Sequence, residues 1–509
     1  MRGRTIERRA ARVSLVNGLS TVLTLVFQFI SVPVCLRYWG KESYGSWLAL
    51  FSAFLLLRGL DGGFINYVGN KLNLLYHKDK AALRRHLASA VVGIVIIGSF
   101  QLLLACGSLL FLGVGNSLGI NSGGANSVKT ELGLVTLMLS WVLTGSYLGV
   151  VHRLLIPAGL MFQAAWWAML FTVLQFVAII LASILRLDVL QTSFLFAAAQ
   201  LLAYVSSGVY VARTLPEFYP WLSGVRVRTA LVDLAHSSVV TASNVLQQIA
   251  TNGAVVMISA LAGPGSVPIF TTVRTVSNLW TAFTGVMTAP LLPEVVRLYV
   301  NEELDKLAAI NQAFWVLAGT AVNLGALMSY PLVPVFYRYW TAHQVPLDNA
   351  LFALLLASVV VTNSGALISL HLNGINKLHI VLGTSVVRAA CALGGGAIGY
   401  RFIGLSAFGV GILAGEIIVV IWMGLYFVRR ELQGRADRVT GASVGAVVLG
   451  TGATVVFFVG AALNLWSLGI VWLAALVSVT AAAIWGWSGL DAEIRQRLSN
   501  LALKWVRPG

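Results

Sequence analysis

About fourteen stretches, each apolar over roughly the 20 residues that a helix needs to cross a bilayer, dominate the 509-residue chain and leave almost nothing between them. They fall at approximately 14–36, 44–67, 88–113, 131–152, 163–185, 190–212, 237–262, 268–292, 309–336, 348–370, 377–400, 403–428, 440–463 and 467–489. Inside lipid every backbone amide must find its partner within the protein, so the choice is helices or a closed barrel. Barrel strands alternate polar and apolar residues, and these runs do not. The expected fold class is therefore an all-α polytopic membrane protein of about 14 transmembrane helices.

The net charge of +16 is compatible with nucleic-acid binding, but its distribution points elsewhere. With the N-terminus inside, 25 of the 34 lysines and arginines fall in cytoplasmic segments, and only Arg58, Arg274 and Arg388 lie within spans. That asymmetry is the positive-inside pattern. It predicts a multi-pass protein of a bacterial cytoplasmic (inner) membrane with both termini cytoplasmic, and basic stretches at Arg2–Arg12, Lys71–Arg85, Arg429–Arg438 and Arg495–Arg507 that touch anionic lipid head groups. No nucleic-acid partner is expected. The first apolar run is longer than the core of a signal peptide and has no small-x-small cleavage site, so it is expected to remain as a helix. Cys35, Cys106 and Cys391 fall in or beside spans and imply no disulfide framework. The seven histidines lack metal-ligand spacing; no metal and no cofactor is expected, and His371 and His379 read as interfacial residues.

An internal repeat is visible. Gly40-Lys-Glu-Ser-Tyr44, then a span, then Asp79-Lys80, matches Gly263-Pro-Gly-Ser-Val267, then a span, then Asp305-Lys306. Repeats of this kind mark two-lobed transporters. The expected organisation is an N-terminal six-helix lobe over 1–212, a second lobe over 213–428 that includes a preceding cytoplasmic linker, and two further helices with a cytoplasmic tail over 429–509. The two lobes are expected to be pseudo-symmetric about a central cavity.

Polar stripes predict what the spans line. Asn17, Ser20, Thr21, Thr24, Gln28 and Ser31 share one helical face, and Asn244, Gln247, Gln248, Thr251 and Asn252 share another. Such faces either hydrogen-bond between helices or line a water-filled lumen. Their amides favour the lumen. Thr271, Arg274, Thr275, Asn278 and Thr281 add a third stripe. A charge near the bilayer centre costs several kcal/mol, so Arg274, Arg388 and Glu416 should face a cavity or a partner. Arg388 and Glu416 lie on consecutive spans, where they either pair with each other or meet a cargo or ion. Arg58 and Asp61 are three residues apart on the second span, where a local salt bridge is the simpler expectation. The candidate cargo-binding residues are thus Arg274, Arg388, Asn17, Gln28, Asn244, Gln247, Gln248, Asn252, Asn278 and Arg58, with Asp61 and Glu416 as candidates for coupling to a proton or sodium gradient.

The motifs Pro33…Gly40-Lys-Glu-Ser-Tyr44-Gly45-Ser-Trp47, Leu60-Asp61-Gly62-Gly63-Phe64, Gly263…Val267-Pro-Ile-Phe270-Thr-Thr-Val-Arg274, Pro290-Leu-Leu-Pro293-Glu294 and Leu372-Asn373-Gly374-Ile-Asn-Lys377 together resemble those of Wzx-type polysaccharide flippases. The likeness runs from about residue 14 to 430. It implies the multidrug/oligosaccharidyl-lipid/polysaccharide (MOP) exporter fold and alternating-access movement of a polyprenyl-pyrophosphate-linked oligosaccharide to the outer leaflet, for O-antigen, capsule or exopolysaccharide biosynthesis. The implied partners are the lipid-linked oligosaccharide, membrane lipids and polysaccharide polymerase or export machinery. Lipid II flippases and MATE-like drug or cation antiporters of the same superfamily are the near alternatives. A membrane glycan polymerase or ligase is the distant one. No outside loop exceeds about 17 residues and no nucleophile, base and electrophile converge, so the chain is not expected to be an enzyme.

Overall fold

The computed structural model describes residues 2–76, 78–108, 118, 123–288, 291–375, 377–433, 441–465, 468–490, 492 and 495–496, with side chains from residue 19 onward except at 21, 123–126, 293 and 468. Among the described residues the fold is helical throughout and no strand occurs. Among the described residues eleven helices are individually long and apolar enough to cross a membrane, or twelve if the bent pair Asn349–Ser364 and Ala366–Gly374 is one span. The protein is a multi-pass helical membrane protein.

The expected runs map onto these helices with informative differences. Helix α1, Arg2–Tyr76, holds the first two runs, broken where Gly40 adopts φ 76° and ψ 174°. Only glycine enters that region without strain. Gly263, the matching residue of the repeat, adopts φ 80° and ψ 162°. The run at 268–292 is divided at Asn278 into α7, Val267–Ser277, and α8, Leu279–Thr288. The run at 348–370 is bent by 51° between Asn349–Ser364 and Ala366–Gly374. Between α1 and α7 lie α2 (Lys80–Gly107), α3 (Ser127–Leu155), α4 (Met161–Ile184), α5 (Val189–Thr214) and α6 (Val227–Ala262).

Acidic caps start several helices as the sequence dictates. Asp79 accepts from Ala82 N at 2.9 Å and Asp348 from Leu351 N at 2.9 Å. Asp188 forms a reciprocal capping box with Gln191 and an ion pair with Lys129 at 2.8 Å. Partial burial works against ionisation there, but the Gln191 amide and the Lys129 ammonium together hold the Asp188 carboxyl below its ordinary range.

The chain forms two compact units, one of residues 1–269 with 339–345, the other of 270–338 with 346–509. In the first, α1 packs against α2, α4 and α6, and α5 packs against α3 and α4. Its core gathers Trp47, Phe54, Phe64, Trp141 and Phe196. In the second, Asn349–Ser364 lies against Ser406–Glu431 and Gly441–Ala462, and a separate core forms around Val295, Leu307, Leu367, Met423 and Phe427.

Candidate functional site

The first unit contains a cavity of about 740 Å³ walled by α1, α3, α4, α5 and α6. That volume lies within the range of small-molecule and head-group sites. Arg58, Asp61 and Asn66 reach it from α1, Trp141, His152 and Arg153 from α3, Phe171 from α4, Tyr204 from α5, and Asn244, Gln247 and Gln248 from α6. The glycines of α1 bring these walls close: Gly63 abuts the Thr241 backbone, and Gly59 faces the Gln248 side chain.

The charges in the cavity are arranged unevenly. Asp61 is almost wholly buried and accepts from Trp141 Nε1 at 2.6 Å and Ser146 Oγ at 2.8 Å. Arg58, one helical turn earlier, lies with its Cζ 3.9 Å from the centroid of the Trp141 ring. The local Arg58–Asp61 salt bridge expected from their spacing does not form. Because α1 continues to Tyr76, both residues have about four to six turns of helix to each side within the 41–76 segment, so they lie near its middle. At the other rung of the cavity, Arg153 Nη2 donates to Asn66 Oδ1 at 2.5 Å.

Trp141 and Ser146 converge on one carboxylate oxygen because α3 is wound as a π-helix from Trp141 to Ser146. In an α-helix residues five apart differ by about 140° around the axis. An i→i+5 turn brings them onto one face. Gly145 completes the arrangement, since a methyl group there would collide with the Trp141 ring. Tyr204 meets the same ring edge-on, with centroids 5.7 Å apart.

The amides of the α6 stripe face this cavity. Asn244, Gln247 and Gln248 line it, and Asn252 Nδ2 donates to Gln248 Oε1 at 2.5 Å. Gln28 is half-buried, and its main-chain carbonyl accepts from Ser31 Oγ at 3.1 Å. The side chain of Asn17 lies outside the described residues.

The remaining expected residues belong to the second unit. Arg388 is bound in two-pronged fashion by Glu416, Nε to Oε1 at 2.8 Å and Nη2 to Oε2 at 3.0 Å. Gly411 and Gly415 make that pair possible by admitting the neighbouring helix, Leu378–Ile403, to contact at Cys391. Arg274 is half-buried on α7, its Cζ 6.0 Å from the Phe270 ring centroid. Asn278 is exposed at the α7/α8 break rather than part of a continuous stripe. His371 departs from the interfacial reading: it is fully buried, 3.8 Å from Glu431, which also faces Lys377 at 3.6 Å. The first unit has a similar cluster, with buried Asp233 between Lys71 at 2.7 Å and His86 at 3.4 Å.

Sequence reasoning did not single out Trp141, Ser146, Asn66 or Arg153. Arg153 falls one residue past the expected end of its span, 131–152, and is therefore not counted among the charges within spans. Among the described residues no group of three or more His, Cys, Asp or Glu is placed to hold a metal ion.

No family model and no curated protein matches the chain. Solved structures do. The lipid II flippase MurJ in an inward closed conformation superposes with a TM-score of 0.66 at 13% identity, over 92% of this chain and 97% of that one. An inward-facing multidrug resistance MATE family transporter of the MOP superfamily gives 0.62 at 17% identity, over 83% and 99%. A point mutant of the Vibrio cholerae MATE transporter VcmN gives 0.58 at 17% identity, over 85% and 99%. At such identities the likeness is one of fold, and the chain has the fold that these MOP-type transporters share.

Proposed function

We propose that the protein is a flippase that moves a polyprenyl-pyrophosphate-linked oligosaccharide from the cytoplasmic to the outer leaflet of a bacterial inner membrane by alternating access, for surface polysaccharide biosynthesis. The observation that carries this reading is the cavity of the first unit, where Arg58 and Arg153 stand among the amides of Asn66, Asn244, Gln247 and Gln248. A pyrophosphate needs cationic, hydrogen-bonding partners, and guanidinium is the side chain best shaped for it. Amides suit sugar hydroxyls. The fold shared with a lipid II flippase supports a lipid-linked cargo. Arg388, held by Glu416, is a weaker candidate for the head group than Arg58 or Arg153. Asp61, the buried acid of the same cavity, is the candidate for coupling to a proton or sodium gradient, and Glu416 is assigned to its ion pair instead. Polysaccharide polymerase or export machinery would take up the flipped product.

The test is reconstitution in liposomes carrying polyprenyl-pyrophosphate glycans on one leaflet, following their arrival, intact, on the other. Arg58→Gln and Arg153→Gln are each expected to slow transfer about ten- to hundredfold, the worth of one charge-assisted hydrogen-bonding group. Protein-dependent transfer that is absent across a cargo panel, in folded protein with ion gradients imposed, would defeat the flippase reading. An inside-negative potential should also accelerate the step, since outward movement of each negative charge gains about 2.3 kcal/mol per 100 mV. A flux unchanged when the potential is collapsed at constant pH and sodium gradients would count against that assistance.

A further inference from the structure

We propose that Trp141 is a charge separator that keeps Arg58 available to a phosphate-class anion by holding Asp61 away from it. The inference rests on the reading of the cavity as an anion-binding site and adds a positioning residue to it. Arg58 and Asp61 are three residues apart on α1, close enough to pair directly on one helix face. On a helix in lipid an arginine beside a carboxylate normally takes it as its partner, as Arg388 takes Glu416. Here the pair is split by a single indole. Its N–H edge engages the Asp61 carboxylate at 2.6 Å, and its ring lies 3.9 Å from the Arg58 Cζ.

The two interactions use opposite ends of the indole's charge distribution, the electropositive edge and the electronegative face. Neither spends the hydrogen-bond donors of the guanidinium. Arg58 is thereby positioned at the cavity wall by a contact that uses none of its N–H groups, and among the described residues it makes no ion pair. Ser146, brought to the Trp141 face by the π-turn, reinforces the separation by donating to the same Asp61 oxygen at 2.8 Å. Gly145 and Tyr204 fix the ring between them. An anion entering the cavity then meets a cation whose competing carboxylate is already satisfied elsewhere.

The experiment measures the affinity of the full-length protein in nanodiscs for inorganic pyrophosphate by calorimetry. Trp141→Phe keeps an aromatic face and removes the N–H donor, which releases Asp61 toward Arg58. It is expected to weaken binding about tenfold or more, the worth of a charge-assisted contact. Adding Asp61→Asn to Trp141→Phe removes the competitor and should restore binding to within about twofold of the wild type, a rescue that lost packing alone would not give. Asp61→Asn by itself should bind at least as tightly as the wild type. Wild-type affinity in Trp141→Phe, no rescue in the double variant, or weaker binding in Asp61→Asn would each overturn the separator. Wild-type affinity in a folded Arg58→Gln variant would instead remove the anion site on which the separator depends.

Discussion

Replacing Gly63 by leucine is expected to leave little folded protein. A Cβ at this position would overlap the Thr241 backbone and its Oγ1, so the obstacle is main chain and cannot swing aside. Gly59, one turn earlier, has the Gln248 Cγ 2.7 Å from the place of its missing Cβ. Between helices in lipid the hydrophobic effect gives no net attraction, and close packing over small residues does much of the work of holding them together. Inserting methylenes into a packed core costs about 1–3 kcal/mol even where side chains can yield. Here α1 and α6 must part, and the wall of the cavity with them. Gly62, the neighbouring glycine, supplies the control. A Cβ there meets only Asn244 Nδ2 at 3.6 Å, an ordinary contact, so Gly62→Ala should melt within a few degrees of the wild type. Thermal melting followed by size-exclusion chromatography in detergent measures both. A Gly63→Leu protein that melts with the wild type would show that the α1–α6 contact is dispensable.

Much of the fold was legible in the sequence because its signals are local. A run of apolar residues is a span wherever it occurs, and Gly40, Gly263 and the aspartate caps mark ends by backbone conformation and hydrogen bonds within a few residues. The α6 amides pointed to a lumen for the same reason, since helical periodicity placed them on one face. Arg388 and Glu416 could be paired on paper because they sit on consecutive helices. The centre of the candidate site could not be read in this way. Trp141 and Ser146 meet Asp61 across 80 and 85 residues of chain, and at five residues apart they fall out of phase with the 3.6-residue period used to search for stripes. A π-turn is invisible to that search. Asn278 failed in the opposite sense: periodicity carried the stripe straight through a break between α7 and α8. His371 failed because its buried partner, Glu431, lies 60 residues further along the chain.

The Arg388–Glu416 pair divides stability from transport, and its two partners should respond very differently alone and together. Arg388→Gln leaves the Glu416 carboxylate largely buried without its two-pronged partner, and Glu416→Gln does the same to the guanidinium. Each single change is expected to cost about 3–5 kcal/mol, because an uncompensated buried charge is what is left behind. Replacing both at once with apolar residues of similar volume, Arg388→Met with Glu416→Leu, removes the attraction and the desolvation cost together and should recover most of that loss. Gly411 and Gly415 remain to hold the two helices in contact at Cys391, so the geometry does not depend on the charges alone. Melting temperatures of the two single variants and the double variant form the test of stability, and transfer in liposomes forms the test of function. If the proposed cargo cations, Arg58 and Arg153 of the first unit, bind the head group, the double variant keeps transporting. A double variant as stable as the wild type but without transfer would show that the pair opens to meet the cargo or a coupling ion, and would return Arg388 and Glu416 to the transport path.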